Sequence, residues 1–123
     1  ADIDFENLMD EVEDLGKSEK RALLSRLSVL QAHLLKWKFQ PERRGSSWEA
    51  TIKVQRLDLS DLLADNPSLT PFLREEFGHA YQRALALAEG ETGLKDKFPT
   101  TSPFTIEETL DPNFWPSADT MTR

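Results

Sequence analysis

Two histidines are the side chains in this 123-residue chain whose ordinary pKa lies closest to neutrality, and each follows an arginine. Arg26 precedes His33 by seven positions, and Arg74 precedes His79 by five. On a helix Arg26 and His33 stand two turns apart and within about 20° of each other. A histidine so placed can serve as a general base while the arginine holds an anionic group. The competing reading is structural: His33 at a helix interface bonded to a carboxylate, with Glu11 and Asp14 as the expected partners. Glu76 and His79 make one Glu-x-x-His spacing. A di-iron carboxylate bundle needs two such spacings and two further glutamates, all turned inward. No second Glu-x-x-His exists, and His79 falls off the apolar stripe of its helix, so the sequence assigns no metal site and no cofactor.

A third constellation is the run from Lys36 through Trp37, Lys38, Arg43 and Arg44 to Trp48. Guanidinium forks and indole faces suit phosphates, bases or the carboxylates of a partner. Lys36, Trp37, Arg43, Arg44 and Trp48 are therefore the candidate binding residues. The alternative is that both tryptophans close a helix corner from within while the arginines bond terminal carbonyls.

Helices must position these groups. Phe5, Leu8, Met9, Val12 and Leu15 fall in one stripe at about 100° per residue, and Gly16 is the expected end of this first helix. A second helix is expected from an N-cap at Ser18 to about Phe39, antiparallel to the first. Leu23, Leu27, Leu30, Leu34 and Trp37 are its stripe, broadened by Leu24 and Leu35. So wide an apolar face marks the central helix, and opposite the stripe Ser25, Ser28 and Ala32 are small enough to let a neighbour approach closely. A third helix, capped by Ser46 or Ser47, carries Trp48, Ile52, Gln55, Leu59, Leu62 and Leu63 and ends at Asn66-Pro67. Thr70 and Pro71 are expected to open a fourth, with Leu73, Phe77, Ala80, Tyr81, Ala84, Leu87 and Ala88 inward and Gly90 and Gly93 at its end. Four prolines after residue 98 forbid another long helix, but Phe98, Phe104, Phe114 and Trp115 are too apolar for a solvated tail. Residues 94–123 should wrap along the bundle, with a capping box at Thr105 and Glu108 starting one short helix and Ser117–Arg123 frayed.

Composition narrows the function classes. The absence of cysteine excludes disulfides, thiolate metal sites and cysteine nucleophiles. No apolar run reaches the ~18 residues of a membrane span, and no signal peptide is visible, so a cytoplasmic location and no membrane partner are expected. The net charge of −7 argues against phosphate binding by the whole surface. It is unevenly spread: −7 over residues 1–16, +7 over 17–56 and −7 over 57–123. A basic middle of this kind either recognises an acidic partner or is neutralised by its flanks within the fold. The acidic residues Asp4, Asp10, Glu13 and Asp14 form the solvated face of the first helix and lack the glycine and regular oxygens of a calcium loop.

Glu6-Asn-Leu-Met-Asp-Glu-Val-Glu-Asp-Leu-Gly16, His33-Leu-Leu-Lys-Trp37, Gln40-Pro-Glu-Arg-Arg44, Ser47-Trp48, Thr105-Ile-Glu-Glu and Leu110-Asp-Pro-Asn-Phe-Trp-Pro116 occur in this order. The series resembles a bacterial family catalogued as domain of unknown function number twenty-nine. The resemblance covers nearly the whole chain and implies an all-helical fold, with no reaction, substrate or cofactor to carry over. It also implies a further N-terminal segment before the acidic helix, and the chain's start at Ala1 fits that expectation. Separately, Arg26 and His33 match the arginine-to-histidine spacing of the HEPN ribonucleases, but so do Arg74 and His79, so the pattern is permissive.

These readings combine into one domain over residues 1–123: an all-α four-helix bundle, mainly antiparallel, with an irregular C-terminal wrap. The first functional expectation is a noncatalytic interaction or regulatory module that takes a protein partner or self-associates. The second is a nucleic-acid binder or HEPN-like ribonuclease using Arg26 and His33.

Overall fold

A computed structural model describes residues 2–118 of the chain, and their side chains from Gly16 onward. The fold is all-α, with four helices and no strand among the described residues. They are α1 (Asp2–Phe39), α2 (Ser46–Asp65), α3 (Leu69–Thr92) and α4 (Ile106–Leu110), with a 3₁₀ turn at Pro41–Arg43.

The expected break at Gly16 is absent, and the first two expected helices are one helix of 38 residues. A glycine C-cap requires the left-handed conformation, and the glycine that adopts it is Gly93, at φ 74°. Gly16 remains helical, as glycine can at a cost of about 1 kcal/mol relative to alanine. No proline interrupts residues 2–39, so nothing else forces an end. The apolar stripe expected over Phe5 to Leu15 lies outside the described side chains.

The side-chain pairs fix the packing directions. Arg26 meets Asp58, and Lys36 lies over the ring of Trp48, so α2 runs antiparallel to α1. Lys20 lies over the ring of Phe72, and Lys36 bonds Glu91, so α3 runs parallel to α1. Merging the first two expected helices leaves an odd number of long ones, which turns the third back along the first. Both α2 and α3 pack chiefly on α1 and scarcely on each other. The central role expected for the Leu23–Trp37 stripe therefore holds: Leu23, Leu27, Leu30, Leu34 and Leu35 are wholly buried. Of the three small residues expected to admit a neighbour, Ser28 and Ala32 are buried, where their size permits close approach, whereas Ser25 is exposed.

Helix ends depart from expectation in detail. Gly45, not a serine, is the N-cap of α2, and α3 begins at Leu69 behind a turn over Asn66–Ser68. Gly90 lies inside α3, and Leu87 of the expected stripe is exposed.

The place of a fourth long helix is taken by the C-terminal segment. It crosses α1 from the α3 side to the α2 side. Tyr81 Oη donates to the Pro99 carbonyl, Gln82 to the Thr100 carbonyl, and Ser102 to buried Gln31. Phe98 packs edge-on against Phe39 at 5.7 Å, and Phe104 against Phe114 at 6.0 Å. The expected capping box is present at Thr105 and Glu108, and α4 then rests on α1 and α2. Of the frayed end expected over Ser117–Arg123, residues 119–123 lie outside the described ones.

Tyr81 is the only tyrosine in the chain, so its ionisation can be read directly. Burial first, and the nearby Glu89 carboxylate second, push its phenol up to about 12. The folded state thus holds the proton more tightly than the unfolded chain. The stability this contributes is complete below pH ~10, the ordinary tyrosine value, and is lost as pH rises through about 12. Tyrosinate absorbance of the folded protein should titrate near 12, and a transition near 10 would contradict the burial of this ring.

Candidate binding recess at the joint of the long helices

The C-terminal end of α1, the N-terminal end of α2 and the C-terminal end of α3 meet around a recess of about 200 Å³. Its wall holds Lys36, Gln40, Arg43, Trp48, Glu91 and Thr92. Lys36 sits on the last turn of α1, and its ammonium is nearly enclosed. It donates to Glu91 Oε1 at 2.7 Å and lies 5.1 Å from the centre of the Trp48 ring. One of its three N–H donors is committed to Glu91, and the indole face offsets part of its desolvation. Gln40, the residue between α1 and the 3₁₀ turn, is 8% exposed, and its Oε1 is enclosed without a hydrogen-bond partner among the described residues. An orphaned buried acceptor costs about 1–3 kcal/mol unless something donates to it. Arg43, from the 3₁₀ turn, is exposed at the rim.

Three of the five expected binding residues, Lys36, Arg43 and Trp48, thus converge. Trp37 and Arg44 do not join them. The Arg44 guanidinium stacks on Trp37 at 4.9 Å and donates to the Trp37 and Pro116 carbonyls. Trp37 in turn meets Trp115 at 4.8 Å. This is the carbonyl-bonding alternative: the pair clasps the C-terminal segment to the end of α1. Neighbours in sequence separate because successive helical side chains point about 100° apart.

The Arg26–His33 pair is not brought together. Arg26 Nη1 bonds Asp58 Oδ2 of α2 at 2.7 Å. His33 Nδ1 donates to the carbonyl of Val29 on its own helix at 2.9 Å. The expected partners Glu11 and Asp14 lie on that same helix, at least 19 positions away, or about 28 Å of rise. Burial lowers the His33 pKa most, the Val29 carbonyl opposes it, Lys36 lowers it further and Glu91 raises it. The ring is held neutral beside the recess, and neither it nor Arg26 lines the recess wall.

His79 is exposed and bonds Glu76 three residues before it, while Arg74 pairs with Glu107 at 3.6 Å. Among the described residues no group of three histidines or carboxylates could hold a metal ion. The ion pairs of Arg26 with Asp58 and Lys36 with Glu91 join the basic middle of the chain to its acidic last part. Charge is thus partly neutralised within the fold, and Arg43 is left facing outward.

Gln40, Glu91 and Thr92 escaped sequence reasoning. Glu91 lies 55 positions from Lys36, and no local pattern signals that pairing. Gln40 carried a weak sign, a helix-ending polar residue just before Pro41, but its burial depends on α2 and α3.

The chain belongs to the family described as Domain of unknown function DUF29, whose family model matches residues 1–115. No curated protein and no solved structure matches it. No described helix is long and apolar enough to cross a membrane.

Proposed function

We propose that this DUF29 domain is a noncatalytic interaction module that holds a peptide segment of a protein partner in the Lys36–Arg43–Trp48 recess. The observation that carries this reading is the mixed demand of that wall. Arg43 places an exposed cation at the rim, whereas enclosed Gln40 Oε1 has no donor among the described residues. The Glu91 carboxylate adds a further acceptor. A peptide supplies both kinds of group, an acidic side chain for Arg43 and a backbone N–H for Gln40. A nucleic-acid phosphate supplies only acceptors and would meet the Glu91 carboxylate. The Trp48 face adds a surface for a flat or apolar side chain.

The ribonuclease alternative lacks comparable support. Its arginine is committed to Asp58, and its histidine bonds its own helix.

The test is a titration followed by the indole N–H resonance of Trp48, using a short capped peptide with a glutamate beside an aromatic residue, and poly(U) RNA in parallel. The peptide should shift that resonance saturably, less so at higher salt. Arg43→Ala should weaken it about ten-fold, the scale of one charge-assisted hydrogen bond. Saturable binding of the RNA with no effect of the peptide, or RNA cleavage lost in His33→Ala, would overturn the proposal.

A further inference from the structure

A second recess, of about 340 Å³, lies along the middle of α2, where α4 and the residues after it approach. Leu57, Leu110 and Pro112 give it an apolar wall, and Lys53, Arg56 and Ser60 complete it. Leu57 is 64% exposed, and Val54, three positions before it on α2, is 50% exposed, so apolar side chains face outward on this part of the helix. Arg56, by contrast, is 4% exposed. Its Nε and Nη2 donate to the carbonyls of Thr109 and Glu108, but Nη1 is enclosed with no partner among the described residues. Asp111 acts on this guanidinium through its charge but makes no hydrogen bond to it; its Oδ1 accepts from the Asn113 backbone. A buried guanidinium with an unused donor beside an open apolar wall lacks one acceptor.

We infer that this recess binds a small organic carboxylate with an apolar body. The body lies against Leu57, Leu110 and Pro112, and the carboxylate takes the free Arg56 donor with Lys53 at the entrance. The size suits it, because sites for small molecules begin at about 300 Å³ and are mostly apolar with a few placed polar groups. The charge suits it as well: guanidinium is the preferred partner of a carboxylate in a desolvated setting. Lys53 is tied to Glu49 at 2.9 Å on the exposed surface and is free to exchange that weak pair for a ligand.

Octanoate, well below its micellar concentration, is the probe, and the leucine methyl resonances of the full chain are the readout. Octanoate should shift Leu57 and Leu110 saturably. Octanol, with the same chain and no charge, should bind at least about ten-fold more weakly. Leu57→Asp puts a carboxylate at the exposed mouth without touching the core, and should abolish octanoate binding. Trp48→Ala should leave it unchanged, so this site and the peptide recess stand or fall separately. Equal binding of octanol and octanoate, shifts spread over the whole surface, or no saturation would each overturn the inference.

Discussion

Arg56→Leu will destabilise the domain by about 3 kcal/mol, seen as a lower denaturant midpoint. The side chain is almost wholly buried in α2 and holds the carbonyls of Glu108 and Thr109 at the end of α4. Thr109 has no exposed surface, so its carbonyl has no ready access to water once the arginine is gone. Hydrogen bonds from a charged donor contribute about 1.5–3 kcal/mol each, and a stranded buried acceptor costs about 1–3 kcal/mol. Against this, leucine removes a desolvated charge and the orphaned Nη1, so the net stays at the lower end of that sum, about 3 kcal/mol. The guanidinium also lies 5.6 Å from the Trp115 ring, so the variant should expose that indole along with α4. Arg56→Lys will restore less than half of the loss, because one ammonium on a flexible stem does not match a fork aimed at two carbonyls. A variant with an unchanged midpoint would mean that the two carbonyl bonds merely balance the desolvation of the charge.

Leu30→Ala will cost about 3 kcal/mol or more, while Leu57→Ala will change stability by no more than about 0.5 kcal/mol. Leu30 is wholly enclosed on α1, the helix against which both other long helices pack. Removing its side chain therefore leaves a cavity that no single neighbour can close, and cavity costs rise with the volume left behind. Leu57 is mostly solvated and has little burial to lose. Equal losses at the two positions would show that α1 is not the common core.

How far the sequence reads is visible in these same residues. The leucine spacing that singled out Leu23 to Leu34 is a property of one helix, set by 3.6 residues per turn, and needs no knowledge of neighbours. The capping box at Thr105 and Glu108 is equally local, and it forms. The Gly16 break failed because glycine permits a helix end without requiring one. The continuation then reversed the direction of every later helix relative to the first. Local pattern carried the elements, and their connection decided the arrangement.

The residues fit for chemistry divide along the same line. The sequence by itself determined which side chains were available: two histidines, a run of cations with Trp37 and Trp48, no cysteine, and helical stripes that put Leu23 through Leu34 inside. It also carried the family, through motifs that run along the chain. The tertiary structure alone decided which of those side chains meet. It sent Arg26 to Asp58 and bonded His33 to its own helix, with neither on the recess wall. It turned Trp37 and Arg44 toward Trp115 and Pro116, and gathered Lys36, Arg43 and Trp48 with Gln40 and Glu91 from three long helices and the turn that joins two of them. The reason is physical: side-chain direction along one helix follows from a fixed rotation per residue, whereas contact between helices depends on register and direction, set by which ends the whole core can bury.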